Sequence, residues 1–340
     1  MASAACCSLI FNKNLNFQKI EKINTTFSSS SFSKIQCNKM KKLSCRAGTA
    51  MEEMQFVKSK SNDFRVGRLV EDGLVYCQNL TIKSFEIGFD RKATIAALMS
   101  YLQDSAINHG RITGIMADGH ILGVTREMSK KDLIWVLSSL QIVVDRYPSW
   151  LDVVEVETWM YPLGKNGLGH DWVIRDRNTG DVLAQATSQF VLMNKKTRKL
   201  SKFSDKVREE LAPHMMEYST LILNNIIQKP SQLNINTADF SCTELKPGWN
   251  DLDANQHVNN VKYINWILES VPQPLMKHHK LYAMNLKFRK ECNMDSVLQS
   301  LSKIITSNKN EVELEHLLLL ENGHQIVRGS TLWKPINDLN

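Results

Sequence analysis

The sequence is a loose internal repeat, and this feature constrains its fold more than any other. When residues 152–154 (Asp-Val-Val) are laid on residues 295–297 (Asp-Ser-Val), residues 178–180 (Asn-Thr-Gly) fall on residues 321–323 (Glu-Asn-Gly). The second pair of segments is typical of hairpin turns, and a strand-like run follows each turn. Similarity at one fixed offset predicts two copies of the same structural unit.

Each copy has the pattern of one amphipathic helix followed by several strands. The first helix has the apolar residues Ile95, Leu98, Met99, Leu102 and Ala106 and a stop at Gly110. The second helix has Val258, Val261, Ile264, Leu268 and Val271 and ends before Pro272 and Pro274. The strand-like runs cover residues 133–144, 153–160, 172–175, 182–193, 281–289, 297–305, 312–320 and 325–332. No crossover helices separate these strands, so the pattern favours an α+β fold over a parallel doubly wound sheet.

Composition divides the chain into a leader, two domains and a connector. The formal net charge of +7 comes from residues 1–50, which carry eight Lys and Arg against one Glu and are rich in Ser. This composition is typical of an organelle transit peptide. The remaining charges balance, which gives no support to nucleic-acid binding. We expect a first domain at residues 51–208, a more polar connector at residues 209–245 and a second domain at residues 246–340.

Cysteine spacing and hydropathy argue against several kinds of site. Four of the seven cysteines lie in the predicted leader, and Cys77, Cys242 and Cys292 are far apart with no Cys-x-x-Cys pair. We therefore expect no disulfide framework, no structural zinc and no cofactor. No apolar run approaches the ~20 residues of a membrane-spanning helix, so we expect no membrane span.

Polar residues with catalytic potential are concentrated in residues 249–260, which read Trp-Asn-Asp-Leu-Asp-Ala-Asn-Gln-His-Val-Asn-Asn. Three of them are spaced two residues apart just before the second helix, and a carboxylate and a thiol follow at the end of a strand-like run. The candidate catalytic residues are Asp253, Asn255, His257, Glu291 and Cys292. Such a set can polarise a carbonyl group and activate a water or a thiol, which is what acyl transfer requires.

These segments carry a resemblance to a known family. Residues 252–264 and 289–292 (Arg-Lys-Glu-Cys) resemble the plant acyl-ACP thioesterases, and the resemblance extends over residues 80–335. Further matching segments are residues 86–88, 90–91, 133–136 and 196–200, and residues 266–270 and 295–301 favour the B-type branch, which acts on saturated acyl groups. The resemblance implies two tandem hotdog domains, each an antiparallel sheet wrapped around a central helix. It also implies that the five candidate residues form the catalytic set.

The resemblance further implies an enzyme of the plastid stroma that hydrolyses acyl-ACP and releases the free fatty acid, which ends chain elongation. The first domain is expected to bind the acyl group, because its Asp104 and His109 have no matching polar cluster. The partner is an acyl carrier protein, and the protein is a monomer or a homodimer. The alternatives are an acyl-CoA thioesterase on the same fold, a catalytically silent acyl-binding protein and, less favoured, a dehydratase acting on 3-hydroxyacyl-ACP.

Two mechanisms are compatible with the candidate residues. Either Glu291 and His257 activate a water, which we favour, or Cys292 is the nucleophile with His257 as base and Asn255 as orienter. We expect His257 in the first turn of the second helix, where the helix dipole favours a neutral imidazole. Strand alternation places Cys292 on the apolar face, which is typical of a core thiol. It places Glu291 on the opposite face unless a bulge or the strand end intervenes.

A basic run lies near the end of the first predicted domain. It consists of Lys195, Lys196, Arg198, Lys199, Lys202, Lys206 and Arg208. Such a run can dock an acidic carrier protein by electrostatic steering, or it can be only a solvated face.

Overall fold

The computed structural model describes residues 67–116, 123–219, 221, 223, 233–253 and 256–336. The strands are β1 (Arg68–Val70), β2 (Val75–Thr81), β3 (Leu133–Val144), β4 (Val153–Leu163), β5 (Gly167–Asp176), β6 (Val182–Asn194), β7 (Phe240–Leu245), β8 (His279–Phe288), β9 (Leu298–Ser307), β10 (Val312–Leu320) and β11 (Gln325–Pro335). The helices are α1 (Ile95–Ile112), α2 (Arg126–Lys130), α3 (Asp205–Leu211), α4 (Asn260–Leu268) and α5 (Gln273–His278). The predicted leader, residues 1–50, lies outside the described residues.

The strands form one antiparallel sheet in the order β1-β2-β4-β5-β6-β3-β8-β11-β10-β9-β7. Read outward from the middle, the first half runs β3-β6-β5-β4-β2 and the second half runs β8-β11-β10-β9-β7, so both halves have the same strand order. They join where β3 pairs with β8, with Ser139 opposite Lys287 and Val143 opposite Ala283. The repeat and the α+β class expected from the sequence are confirmed.

One long helix packs against each half of the sheet. Helix α1 packs on β2 and β4, helix α4 packs on β9 and β10, and the two helices contact each other. Buried side chains of both helices, such as Leu98 and Ile264, belong to one continuous apolar core. The two units therefore share a core, and a cavity in one unit can extend to residues of the other.

Capping residues set the start of both long helices. The hydroxyl of Thr94 accepts a hydrogen bond from the first turn of α1 at 3.1 Å, and the side chain of Asn259 does the same for α4 at 2.9 Å. A side-chain acceptor at this position satisfies an N–H that has no partner inside the helix. Helix α1 continues to Ile112, past the predicted stop at Gly110, whereas α4 is shorter than predicted at both ends.

Each half begins with a strand, and the expectation that each begins with a helix is wrong. Strand β2 precedes α1, and β7 precedes α4. Strand β7 is short, mostly exposed and interrupted by a bulge near Glu244, whose φ is 61°. Because it forms the sheet edge, it lacks the apolar alternation that predicts a strand. Strand β7 also lies inside the predicted connector, residues 209–245. The boundaries of the predicted domains stay a prediction.

Among the described residues, no helix is long and apolar enough to cross a membrane. In the same part of the chain, no group of three or more His, Cys, Asp or Glu is arranged to hold a metal ion. Cys77, Cys242 and Cys292 are all free thiols.

Candidate active site

A tight turn before α4 places His257. The N–H of Asp253 donates to the carbonyl of His257 at 2.7 Å, and the N–H of His257 donates back to the Asp253 carboxylate at 3.1 Å. Gln256, between them, has a φ of 63°, in the left-handed region. The expectation that His257 lies in the first helical turn is wrong, because Asn259 caps the helix and the turn ends before it. Asn255 lies outside the described residues.

The segment that precedes this turn is anchored on both sides. The carboxylate of Asp251 accepts from the N–H of Gly248 at 2.7 Å and pairs with Lys262 of α4 at 2.8 Å. The carbonyl of Asp251 also accepts from the N–H of Asn259 at 2.8 Å. These bonds fix the loop to the helix, so the position of His257 depends on packing and not on a free loop.

Glu291 reaches His257 because strand β8 ends before it. The strand stops at Phe288, and residues 289–293 have no regular secondary structure. Beyond the strand end the alternation of faces no longer applies, which removes the conflict seen in the sequence. The Oε2 atom of Glu291 lies 3.5 Å from Nε2 of His257, and both side chains are about one-third exposed.

Arg198, from the first half of the protein, completes this arrangement. Its guanidinium pairs with Oε1 of Glu291, the carboxylate oxygen that does not face His257. In the sequence, Arg198 belongs to a basic run and to the family-like segment 196–200, and neither assigns it a role at the site. Its contact with Glu291 connects the loop after β6 with the loop after β8, and no local sequence pattern reports such a contact.

The imidazole of His257 is favoured in its neutral form. Burial lowers its pKa, the positive charges of Arg198 and Lys195 lower it further, and Asp253 opposes them. The expected direction agrees with the structure, but the causes are burial and nearby cations. A neutral imidazole near pH 7 can accept a proton from water.

Cys292 is buried beside Tyr263. The hydroxyl oxygen of Tyr263 accepts from the Cys292 N–H at 3.0 Å and from its thiol at 3.2 Å. Burial raises the pKa of the thiol to about 11. Because the thiolate is the nucleophilic form, such a thiol is nearly all protonated near pH 7.

An apolar cavity leads to these groups. It has a volume of about 260 Å³, and its wall includes Asp253 and Asn259 at the two ends of the turn that places His257. Its lining crosses the sheet through Phe288 of β8, Leu140 of β3, Phe190 of β6, Leu168 of β5 and Met160 of β4. Since neighbouring strands lie ~4.8 Å apart, four strand spacings span about 19 Å. An extended alkyl chain fits this shape and chemistry.

His109, in the first half, lies in a buried environment apart from the hydrogen bonds of Asp104. His109 is fully buried, and its ring stacks against Tyr76 at 6.0 Å. Among the described residues neither of its ring nitrogens has a hydrogen-bond partner. Asp104 is instead on the polar side of α1, where it accepts from Gln78 and Asn108. That the first half binds substrate without performing catalysis stays a prediction.

Two family models match the chain. The model described as "Acyl-ACP thioesterase N-terminal domain" matches residues 73–211, and "Acyl-ACP thioesterase C-terminal domain" matches residues 235–335.

Curated plant proteins are similar over most of the chain. A chloroplastic palmitoyl-acyl carrier protein thioesterase of Gossypium hirsutum is 50% identical over 278 residues, which cover 80% of this chain and 67% of the relative. A chloroplastic dodecanoyl-[acyl-carrier-protein] hydrolase of Umbellularia californica is 43% identical over 265 residues, which cover 77% and 68%. The chain thus spans about two thirds of the length of the curated relatives it matches.

Solved structures have the same fold. The 12:0-ACP thioesterase from Umbellularia californica superimposes with a TM-score of 0.73 at 42% identity, covering 78% of this chain and 95% of that one. A putative oleoyl thioesterase from Lactobacillus plantarum has a TM-score of 0.67 at 19% identity, covering 80% and 99%, which supports the fold alone. The tandem hotdog fold expected from the sequence is confirmed.

Proposed function

The protein belongs to the acyl-ACP thioesterase family, and we propose that it hydrolyses fatty acyl-ACP and releases the free fatty acid and the carrier thiol. The observation that carries this proposal is the apolar cavity whose wall includes Asp253, the residue whose carboxylate accepts from the N–H of His257. The cavity suits an alkyl chain, and the polar end suits the thioester. The names of the relatives specify acyl-ACP thioesterase or hydrolase activity, which supports the same substrate class.

In the proposed reaction, Glu291 and His257 activate a water molecule. The water oxygen attacks the thioester carbonyl while the neutral imidazole of His257 accepts a proton, and Glu291 stabilises the imidazolium that forms. Collapse of the tetrahedral intermediate breaks the C–S bond, and the leaving thiolate takes the proton. Water thus supplies a hydroxyl to the acid and a proton to the carrier thiol.

The start of α4 is proposed to stabilise the oxyanion. Asn259 and Asn260 line the cavity at the positive end of this helix, where the helix dipole favours negative charge that develops on a carbonyl oxygen. Asn255 stays a predicted donor to the carbonyl or to the water, and Asp253 is proposed to hold the turn that presents His257.

Cys292 is proposed to be a structural residue. Its thiol has a raised pKa and donates to the hydroxyl of Tyr263, which is itself buried. A nucleophile needs a nearby base and a lowered pKa, and this thiol has the opposite environment. The papain-like alternative therefore has less support than attack by water.

The basic run is proposed to receive the carrier protein. Lys195, Lys196 and Lys199 are exposed on the loop whose Arg198 reaches Glu291, so these cations lie beside the catalytic groups. Complementary charge steers an acidic carrier toward this face and raises the association rate.

The relatives are named chloroplastic, which supports a plastid location, and the stroma is the finer proposal. The Ser-rich basic composition of residues 1–50 fits import into the organelle. The monomer or homodimer stays a prediction.

Thiol and fatty-acid release from saturated acyl-ACPs of graded chain length tests the proposed function. We expect multiple turnovers, with both products in equal amounts, and slower turnover of the matching acyl-CoAs. Faster turnover of acyl-CoA would favour the acyl-CoA thioesterase, and an enoyl product with no free thiol would favour a dehydratase. Stoichiometric acyl-ACP binding without turnover would show a silent acyl-binding protein.

A further inference from the structure

We propose that Arg198 is a positioning residue for the catalytic carboxylate, holding one oxygen of Glu291 so that the other faces His257. This inference rests on the proposed hydrolase function. It assigns to the first half of the protein, expected to bind only the acyl group, a part in organising the chemistry of the second half.

The first support is the geometry of the carboxylate. Glu291 lies beyond the end of β8, in a segment without regular secondary structure, and about one-third of its side chain is exposed. Such a carboxylate has no fixed orientation of its own. The guanidinium of Arg198 contacts Oε1, while Oε2 lies 3.5 Å from Nε2 of His257. The pairing therefore selects the rotamer of Glu291 that is needed at His257.

The second support is the conformation of the loop that carries Arg198. The side chain of Asn194 accepts from the N–H groups of Lys196 at 3.1 Å and Thr197 at 2.9 Å, and its carbonyl accepts from the N–H of Arg198 at 2.9 Å. These bonds hold Arg198 at a φ of 55°, in the left-handed region that residues with a side chain seldom adopt. These bonds fix the backbone position from which the guanidinium reaches Glu291.

The third support is electrostatic. Arg198 and Lys195 disfavour the imidazolium of His257, and Asp253 favours it. Removal of the Arg198 charge removes one repulsive cation and also frees Glu291 to pair with His257 alone. Both changes raise the pKa of His257, so they act in the same direction on the pH profile.

Kinetic constants on two substrates distinguish a positioning role of Arg198 from a role in carrier docking. A docking residue alters the KM for acyl-ACP and has little effect on a small acyl thioester without a carrier. A positioning residue alters kcat for both substrates. Lys199 provides the comparison within the loop, since it is exposed and adjacent to Arg198. Arg177, an exposed arginine at the opposite end of β6, provides the matched control outside the loop.

The experiment uses the full chain with the substitutions R198Q, R198K, K199Q and R177Q. Steady-state rates are measured from pH 5 to 9 with an acyl-ACP and with the corresponding acyl-N-acetylcysteamine thioester. We expect R198Q to lower kcat on both substrates by about tenfold to a hundredfold, part of the ~10²–10⁴-fold that a positioned base supplies. Its acid limb of kcat/KM should move to higher pH, because the pKa of His257 rises. R198K should recover the position of the limb and only part of kcat, since an ammonium lacks the planar fork of arginine.

A double substitution tests the route of the effect. If Arg198 acts through Glu291, R198Q added to E291Q should cause no further loss of kcat. Full additivity would overturn the proposal, and so would an R198Q enzyme that differs from R177Q only in the KM for acyl-ACP. Thermal melting distinguishes a folding defect, and R198K provides the test if R198Q does not fold. A wild-type protein that hydrolyses neither substrate would instead refute the proposed function.

Discussion

The loops before α1 and α4 occupy the same place in the two halves and differ in how their polar groups are used. Before α1, the carboxylate of Glu86 accepts from the hydroxyl of Tyr101 at 2.5 Å and from the N–H of Lys83 at 2.7 Å. Before α4, the turn presents His257 to Glu291 from another loop, at 3.5 Å. The same topology thus supports a closed structural turn in one half and a candidate catalytic turn in the other.

The two halves also differ in the size of the side chains that pack beside their long helices. In the first half, the cavity wall contains the small residues Ala106 and Gly110 on α1 and Ser188 on β6. In the second half, α4 packs on β10, whose Leu314 and Leu318 are fully buried. Most of the cavity wall therefore belongs to the first half, and residues of α4 and β8 complete it.

The largest expected effect on turnover is that of E291Q, and E86Q in the loop before α1 is its matched control. E291Q should lower kcat by about 10²–10⁴-fold, because the general base or its orienting charge is lost. The matched change E86Q keeps an acceptor for Tyr101 and should alter kcat by no more than about threefold. Rates on one acyl-ACP, measured for both variants at saturating substrate, make this comparison. Equal losses would remove the distinction between the two loops.

The next effect concerns the space in the first half. Ala106→Leu extends a side chain from α1 into the cavity, so long acyl chains should lose more than short ones. A methylene in an apolar pocket changes discrimination by about 10–200-fold, and we expect the ratio of long-chain to medium-chain kcat/KM to fall by about tenfold.

Ser100→Leu, on the exposed side of α1, is the control and should leave this ratio unchanged. An unchanged ratio in Ala106→Leu would show that the acyl group does not lie beside α1.

Local sequence patterns predicted the two long helices and most of the strands. Amphipathic periodicity and strand alternation locate α1, α4 and the strands from β3 to β6 and from β8 to β11, because those elements bury one face. Strands β2 and β7 were missed, and β7 has too little buried surface to impose a pattern. The spacing of Asp253 and His257 indicated the candidate catalytic turn, but its relation to the helix start depended on which residue caps α4.

The pairing of Arg198 with Glu291 was not predictable in the same way. The two residues are far apart in sequence and are brought together because β3 and β8 join the two halves of the sheet. Glu291 itself appeared on the wrong face, since strand alternation gives no information about where β8 ends. Contacts between loops of different strands require the topology before they can be inferred.

A smaller effect is expected at Cys292. Its substitution tests whether the nucleophile is water or the Cys292 thiol. Cys292→Ser keeps a donor to Tyr263 and should retain kcat within about threefold if water is the nucleophile. Cys292→Ala removes one buried hydrogen bond and should lower the free energy of unfolding by about 1 kcal/mol. Chemical denaturation measures the free energy of unfolding, and steady-state rates measure kcat. Loss of turnover in both variants with the fold intact would establish the thiol mechanism.

The smallest expected effect on turnover is at His109 and His316, one buried histidine in each half. Their protonation changes the free energy of unfolding. Burial lowers the pKa of His109 to about 4 and that of His316 to about 3, so both are neutral in the folded protein. Unfolded histidine has a pKa near 6.5, so the unfolded state binds more protons below that pH and stability falls as the pH falls. At pH 5.5 each residue should cost about 1.4 kcal/mol relative to pH 8, with most of the loss between pH 6.5 and the folded pKa.

Leucine substitutions separate this pH effect from packing. The ring of His316 is hydrogen-bonded to Thr331 at 2.7 Å, so His316→Leu should cost about 1–3 kcal/mol at pH 8. His109 has no hydrogen-bond partner among the described residues, so His109→Leu should change stability by less than about 1 kcal/mol at that pH. Each variant should lose part of the acid sensitivity seen in urea denaturation between pH 8 and 5.5. If His109→Leu left that sensitivity unchanged, protonation of His109 would contribute nothing to acid unfolding.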